Sequence, residues 1–208
     1  MNQKEYWESK WKSKKGSNPN NFAKTAFPLM KNKGSETLLD IGCGDGRDSI
    51  YFAKKGLKVT AIDFSENAIK QLQNKLKLGS IENIHPICQD ISNLEFPKNS
   101  LDIVYSHLSL QYFNDKATTK IFNRLYPILK NNGLIFIKCK STDDALYGKG
   151  KKIEKNVYLL NNHIRHFFDR DYMKKKLEKF KILNLRKTSS VYYKYKSSFI
   201  EAIATKQG

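Results

Sequence analysis

The sequence predicts an α/β fold built on a mostly parallel sheet, and three observations lead to it. Apolar runs alternate with segments of helical periodicity between residues 37 and 139, as strands joined by crossover helices do. The run at 134–139 (LIFIKC) is apolar enough for a strand covered on both faces. Two later strand candidates, 180–187 and 197–205, have little helix between them, so they pair as an antiparallel hairpin at one edge. Together with five earlier candidates they make seven strands.

Residues 37–41 (TLLDI) form a short apolar run ending at Gly42. In 45–55 (DGRDSIYFAKK), Ile50, Tyr51, Phe52 and Ala53 stand among polar residues until Gly56, giving strand, tight turn and helix. A second strand fits 57–62 (LKVTAI); Ser65 then caps a helix with Ala68, Ile69, Leu72 and Leu76 at helical spacing and Gly79 at its end. A third strand fits 84–88, a fourth 101–105, and a helix from about Asn114 to Leu129 stops near Asn131-Asn132-Gly133. At the N-terminus, Tyr6, Trp7 and Trp11 lie near one face of a helix, with the two tryptophans at i and i+4.

At 208 residues the chain suits a single domain with small additions. No apolar run approaches the roughly 18 to 20 residues of a membrane span, and the N-terminus has no apolar core like a secretory signal, so a cytoplasmic location is the default expectation. Cys43, Cys88 and Cys139 lack metal or disulfide spacing and are expected to be reduced, buried thiols; no metal site is predicted. The net charge of +18 is concentrated in the flanks: residues 37–137 hold 12 basic against 10 acidic residues, whereas 138–208 hold 18 against 7. Only five of the 38 basic residues are Arg. The excess reads either as lysine-rich solvated faces or as a positive rim that attracts an anionic substrate or a nucleic acid.

The glycines of LLDIGCGDGRDS fit neither phosphate loop. The G-x-x-x-x-G-K-[ST] spacing is absent, and the sixth position counted from Gly42 is Arg47 where a dinucleotide turn needs Gly. Asp40, Asp45 and Asp48 crowd the turn and would repel a pyrophosphate, while Asp63 (VTAIDFS) and Asp90 (PICQDIS) end the next strands. A pocket lined by acids suits a cationic nucleoside with free ribose hydroxyls.

Over roughly residues 36–140, the ordered motifs LLDIGCGDG, VTAIDFS, ICQDI and LDIVYSHLSLQYF resemble those of class I S-adenosylmethionine-dependent methyltransferases of the small-molecule type, similar to the tellurite and thiopurine enzymes. The resemblance implies a Rossmann-like, doubly wound seven-stranded sheet and S-adenosyl-L-methionine as cofactor. It places Gly42 and Gly44 beside the methionine part with Asp40 near its ammonium, and Asp63 on the ribose. Phe64 would pack on the adenine, Asp90 and Ile91 would meet the adenine edge, and Ser106 and His107 would face the reacting methyl. Cys43, Asp45, Arg47 and Ser65 are assigned to the same cofactor, and Trp11 to a helical lid spanning 1–33. The alternative for Asp40 and Asp90 is capping or turn formation. Of the single domain, 34–140 would be the cofactor core, 141–180 a substrate-covering insertion and 181–208 the hairpin.

His107 is the candidate general base, and His163, Arg165 and His166 are candidate substrate contacts on the insertion, with a surface loop as the alternative. His85, inside a strand pattern, reads as structural. Tyr147 and the run YYKYK (192–196) add hydroxyls or aromatic walls, or are ordinary strand residues. The favoured activity is O-methylation of a small anionic acceptor, ahead of N- or S-methylation. Nucleic acid is the less favoured partner, since the fourth-strand motif SHLS lacks the Asn/Asp-Pro-Pro-Tyr/Phe pattern of base amino methylases. A monomer or a homodimer through an edge strand fits the pattern.

Overall fold

The computed structural model describes residues 2–13, 18–93, 95–192 and 195–208. Strands β1 (Thr37–Ile41), β2 (Lys58–Asp63), β3 (Ile84–Cys88), β4 (Leu101–His107), β5 (Leu129–Lys140), β9 (Phe180–Tyr192) and β10 (Tyr195–Lys206) form one sheet. Their order is β3-β2-β1-β4-β5-β10-β9. The first five run parallel, and the hairpin joins antiparallel through β10 against β5. The order reverses between β1 and β4, so a crevice opens past their carboxyl ends, where open α/β sheets bind ligands.

Helices cover both faces because each presents one apolar stripe. On one face α2 (Asn21–Asn32), α3 (Arg47–Lys54) and α4 (Glu66–Gly79) bury Met30, Phe52 and Leu72 against Leu38, Ile103 and Phe136. On the other, α5 (Asp115–Ile128) and α6 (Arg170–Lys176) bury Ile121, Leu125 and Met173 against Leu39, Val104 and Ile135. The caps expected at Ser65 and Asn114 are present, their side chains accepting from the N–H groups of Ala68 and Ala117.

Four features differ from expectation. α5 ends at Ile128 and β5 starts at Leu129. The Asn131-Asn132-Gly133 turn lies inside β5 as an excursion, with Asn132 left-handed, while pairing with β4 jumps from Leu101↔Leu129 to Ile103↔Leu134. Within 141–180, β6 (Lys151–Glu154), β7 (Val157–Leu160) and β8 (His163–His166) form a separate antiparallel sheet. Cys88 is exposed, since β3 is an edge strand, whereas Cys43 and Cys139 are buried as expected. Of the N-terminal helices, only α1 (Gln3–Ser13) sits over the crevice; α2 is part of the wall beneath, its apolar face spent on the sheet.

Candidate functional site

The crevice is a cavity of about 270 Å³ floored by the loops after β1, β2, β3 and β4 and covered by α1. The loop after β1 is pinned to the sheet, Gly42 N and Cys43 N both donating to Ile62 O. Gly42 and Gly44 adopt left-handed backbone, with φ of 67° and 57°. A Cβ on Gly42 would lie 2.3 Å from the Ser109 Cβ, and one on Gly44 would lie 2.4 Å from the Trp11 ring. The sequence suggested that these glycines clear room for a ligand's tail; in the structure they admit Ser109 from the β4 loop and Trp11 from α1, and their backbone lines the cavity.

The acids differ in how far each is compensated. Asp45 forms a 2.6 Å ion pair with Lys75. Asp48 accepts from the Asn20 N–H at 2.8 Å and from the Tyr105 hydroxyl at 2.9 Å. Asp63 accepts from Gly44 N and Ser65 N, both at 2.9 Å. Burial nevertheless raises the Asp63 carboxyl above its ordinary value, against the lowering effect of those N–H bonds. Asp40, 2% exposed, is bonded by the Ser49 hydroxyl at 2.5 Å. Burial first, and then the Asp48 charge, push its carboxyl up to about 8. Such an acid is largely protonated near neutral pH and regains its charge when a cation stands beside it.

Past β4, Leu108 is left-handed at φ 59°, an unusual conformation for a bulky residue. That turn brings His107 and Ser109 to the cavity together. Ser109 Oγ donates to Ile41 O at 2.7 Å, tying the β4 loop to β1. Asn20, at the N-cap position of α2, makes no capping bond. Its side chain turns instead to Asp48, Arg47 and His107.

α1 is fastened at several points. The Glu8 carboxylate accepts from Glu66 N at 2.7 Å, Asn67 N at 3.1 Å and the Ser65 hydroxyl at 3.0 Å, capping α4 from another element. Burial works to raise the Glu8 carboxyl, but the Asn67 and Glu66 N–H groups outweigh it and hold it below its usual range. Gln71 donates to Trp11 O. Tyr6 stacks on His163 with ring centroids 4.4 Å apart, and Gln3 accepts from Ile164 N at 3.1 Å, so β8 backs α1.

Of the sequence-predicted residues, Trp11, Asp40, Gly42, Cys43, Gly44 and Asp45 line the cavity, as do Arg47, Asp63, Phe64, Asp90, Ile91 and His107. Ser65 and Ser106 are fully buried and stand behind its wall: Ser65 caps α4, and the Ser106 hydroxyl meets that of Ser109 at 2.7 Å. His163, Arg165 and His166 are outside the cavity lining. The Nδ1 atoms of the two histidines face the carbonyls of Asn161 and Phe113 at 3.0 and 3.1 Å. Both rings are buried, which lowers their basicity, that of His166 to about 4. His85 is exposed on β3, Tyr147 bonds Asn156 Oδ1, and the side chains of 192–195 lie outside the described residues. Sequence reasoning missed Asn20, Gln3, Lys10 and Tyr112 in the lining. Asn20 carried a signal, a cap-type residue ahead of a helix, but nothing local told that its side chain reaches 87 residues along the chain to His107.

Residues 38–133 match the model of the methyltransferase domain family. Over 113 residues the chain is 35% identical to phosphoethanolamine N-methyltransferase 1 of Triticum aestivum, covering 53% of this chain and 22% of that protein. The chain spans between 21% and 49% of the length of such curated relatives. A solved structure of an S-adenosylmethionine-dependent methyltransferase from Methanosarcina mazei superposes with a TM-score of 0.76 at 21% identity, covering 86% of this chain and 97% of that one. The 1,6-didemethyltoxoflavin N1-methyltransferase of Burkholderia thailandensis, solved with bound 1,6-didemethyltoxoflavin and S-adenosylhomocysteine, superposes with a TM-score of 0.72 at 19% identity, covering 90% of this chain and 79% of that one.

Proposed function

We propose that this chain, whose residues 38–133 are a methyltransferase domain of the S-adenosylmethionine-dependent class, binds that cofactor beneath α1 and methylates a small anionic acceptor, on oxygen. The observation that carries the reading is Asp40: a carboxyl at the cavity wall pushed up to about 8 by burial gains its charge partner when an ammonium arrives. When bound, the cofactor supplies a methyl group on a cationic sulfur, already activated for in-line displacement.

What the protein adds is placement and dryness. Asp40 holds the ammonium. Asp63, its carboxylate fixed by two backbone N–H groups, keeps lone pairs for the ribose hydroxyls. Phe64 and Ile91 give the adenine an apolar seat, and Asp90, which accepts from Ser92 N, stands at its edge. α1 acts as the lid, with Gln3, Trp7, Lys10 and Trp11 facing the cavity. Lys10 and Arg47 give the acceptor's anion positive neighbours.

Similarity to the wheat phosphoethanolamine N-methyltransferase supports a second reading, N-methylation of a phosphate-bearing amine, which shares the anion and changes the accepting atom. Supplying methyl-labelled S-adenosylmethionine with separate pools of carboxylic acids, phosphorylated sugars, phosphoethanolamine and tRNA tests both readings. Label is expected in a small-molecule pool; label confined to tRNA would overturn the small-acceptor assignment.

A further inference from the structure

The side-chain amide of Asn20 has one permitted orientation. Its Oδ1 accepts from Arg47 Nη2 at 3.0 Å, and its Nδ2 donates to Asp48 Oδ2 at 2.5 Å. Turned over, it would set an oxygen against a carboxylate and an amino group against a guanidinium that has only donors. Asp48 is itself anchored by the Asn20 N–H and the Tyr105 hydroxyl. The second Nδ2 proton therefore goes to His107 Nδ1, 3.1 Å away, and that nitrogen must accept.

Resting on the methyltransferase reading above, we infer that Asn20 is a positioning residue that holds His107 as the neutral imidazole protonated at Nε2, and that the acceptor arrives already deprotonated, as a carboxylate. With the Nδ1 lone pair engaged and Nε2 carrying hydrogen, the ring offers an N–H and takes no proton. A hydroxyl acceptor must shed a proton during attack, whereas a carboxylate need not. Its oxygen gives an electron pair to the methyl carbon while the carbon–sulfur bond breaks and leaves its pair on sulfur. The products are a neutral ester and a thioether, and no proton moves. His107, fixed by the network, presents a donor to the anion.

Nitrogen NMR of the full chain labelled with ¹⁵N-histidine tests the tautomer without donor or acceptor, so its failure is separable from failure of the methyltransferase reading. His107, assigned by its loss in His107→Gln, is expected to show an unprotonated Nδ1 and a protonated Nε2. In Asn20→Ala the two tautomers are expected to mix, with the His163 and His166 signals unchanged as a mark of intact folding. A protonated Nδ1 in the unsubstituted protein, or an unaltered His107 spectrum in Asn20→Ala, overturns the assignment. In the label assay, transfer is expected to carboxylic acids and absent from alcohols of the same skeleton; label in an alcohol or in phosphoethanolamine overturns the carboxylate and leaves methyl transfer standing. His107→Gln, which keeps an N–H, is expected to lose about tenfold in rate, and His107→Phe at least tenfold more. Equal losses of about 10² to 10⁴ in both mark a general base and overturn the proposal.

Discussion

Asp40 and His166 are buried titratable groups with opposite consequences for stability. The carboxyl of Asp40 titrates at about 8 in the folded chain and at its ordinary 3.8 in the unfolded one. Between those values the unfolded chain binds fewer protons, so ligand-free stability falls as pH rises from about 4 towards 8. Asp40→Asn is therefore expected to melt at or above the unsubstituted protein at pH 8, while its affinity for S-adenosylmethionine by calorimetry drops at least tenfold; equal affinity would remove Asp40 from the ammonium. His166 runs the other way. Burial lowers it from 6.5 to about 4, so the stability it contributes is whole above 6.5 and is lost as pH falls through about 4. His166→Gln, which keeps a donor for the Phe113 carbonyl, is expected to flatten the melting-temperature curve across that window.

Among elements, α1 is held by contacts that the sequence half revealed. The aromatic spacing of Trp7 and Trp11 predicted a helix with one covering face, and the structure places both rings in the lining. The fastening by Glu8 could not be read, because a carboxylate capping a helix 58 residues away leaves no local pattern. Glu8→Ala is expected to destabilise by about 1 kcal/mol, the loss of one helix cap, and to speed cofactor association in stopped-flow measurements. Gly44→Ala tests the same element from beneath. The left-handed backbone alone costs about 1–2 kcal/mol, and the new methyl lies 2.4 Å from the Trp11 ring. Expected are a lower melting temperature and increased Trp fluorescence quenching by solvent, as the ring is pushed off its seat.

For the molecule as a whole, the central strands were legible because burial on both faces writes a continuous apolar run: 37–41 is a strand to the residue, buried at its last four positions. The small sheet was not. Its edge strand β6 carries Lys151, Lys152 and Ile153 exposed, without alternation or an apolar run, and the four-residue run of β7 (VYLL) stands alone between polar segments. The acids that line the cavity could be read from motif order, whereas Asn20 and Lys10 enter it only through tertiary contact. The charge of +18 also belongs at this scale. Much of it resides on exposed lysines, so weak binding to tRNA is expected at low salt and should decline steeply between about 50 and 200 mM, while methyl transfer to a small acceptor changes far less. Parallel salt dependence of the two would favour a nucleic-acid substrate.

The cap that Glu8 places on α4 has one more use. The amide hydrogens of Glu66 and Asn67 are bonded to α1 instead of to their own helix. Their exchange with deuterated water thus reports the opening of α1, and protection at these two amides, compared with and without S-adenosylhomocysteine, gives the free energy that ligand adds to the closed state. Two backbone hydrogens serve as a gauge of how firmly α1 is seated.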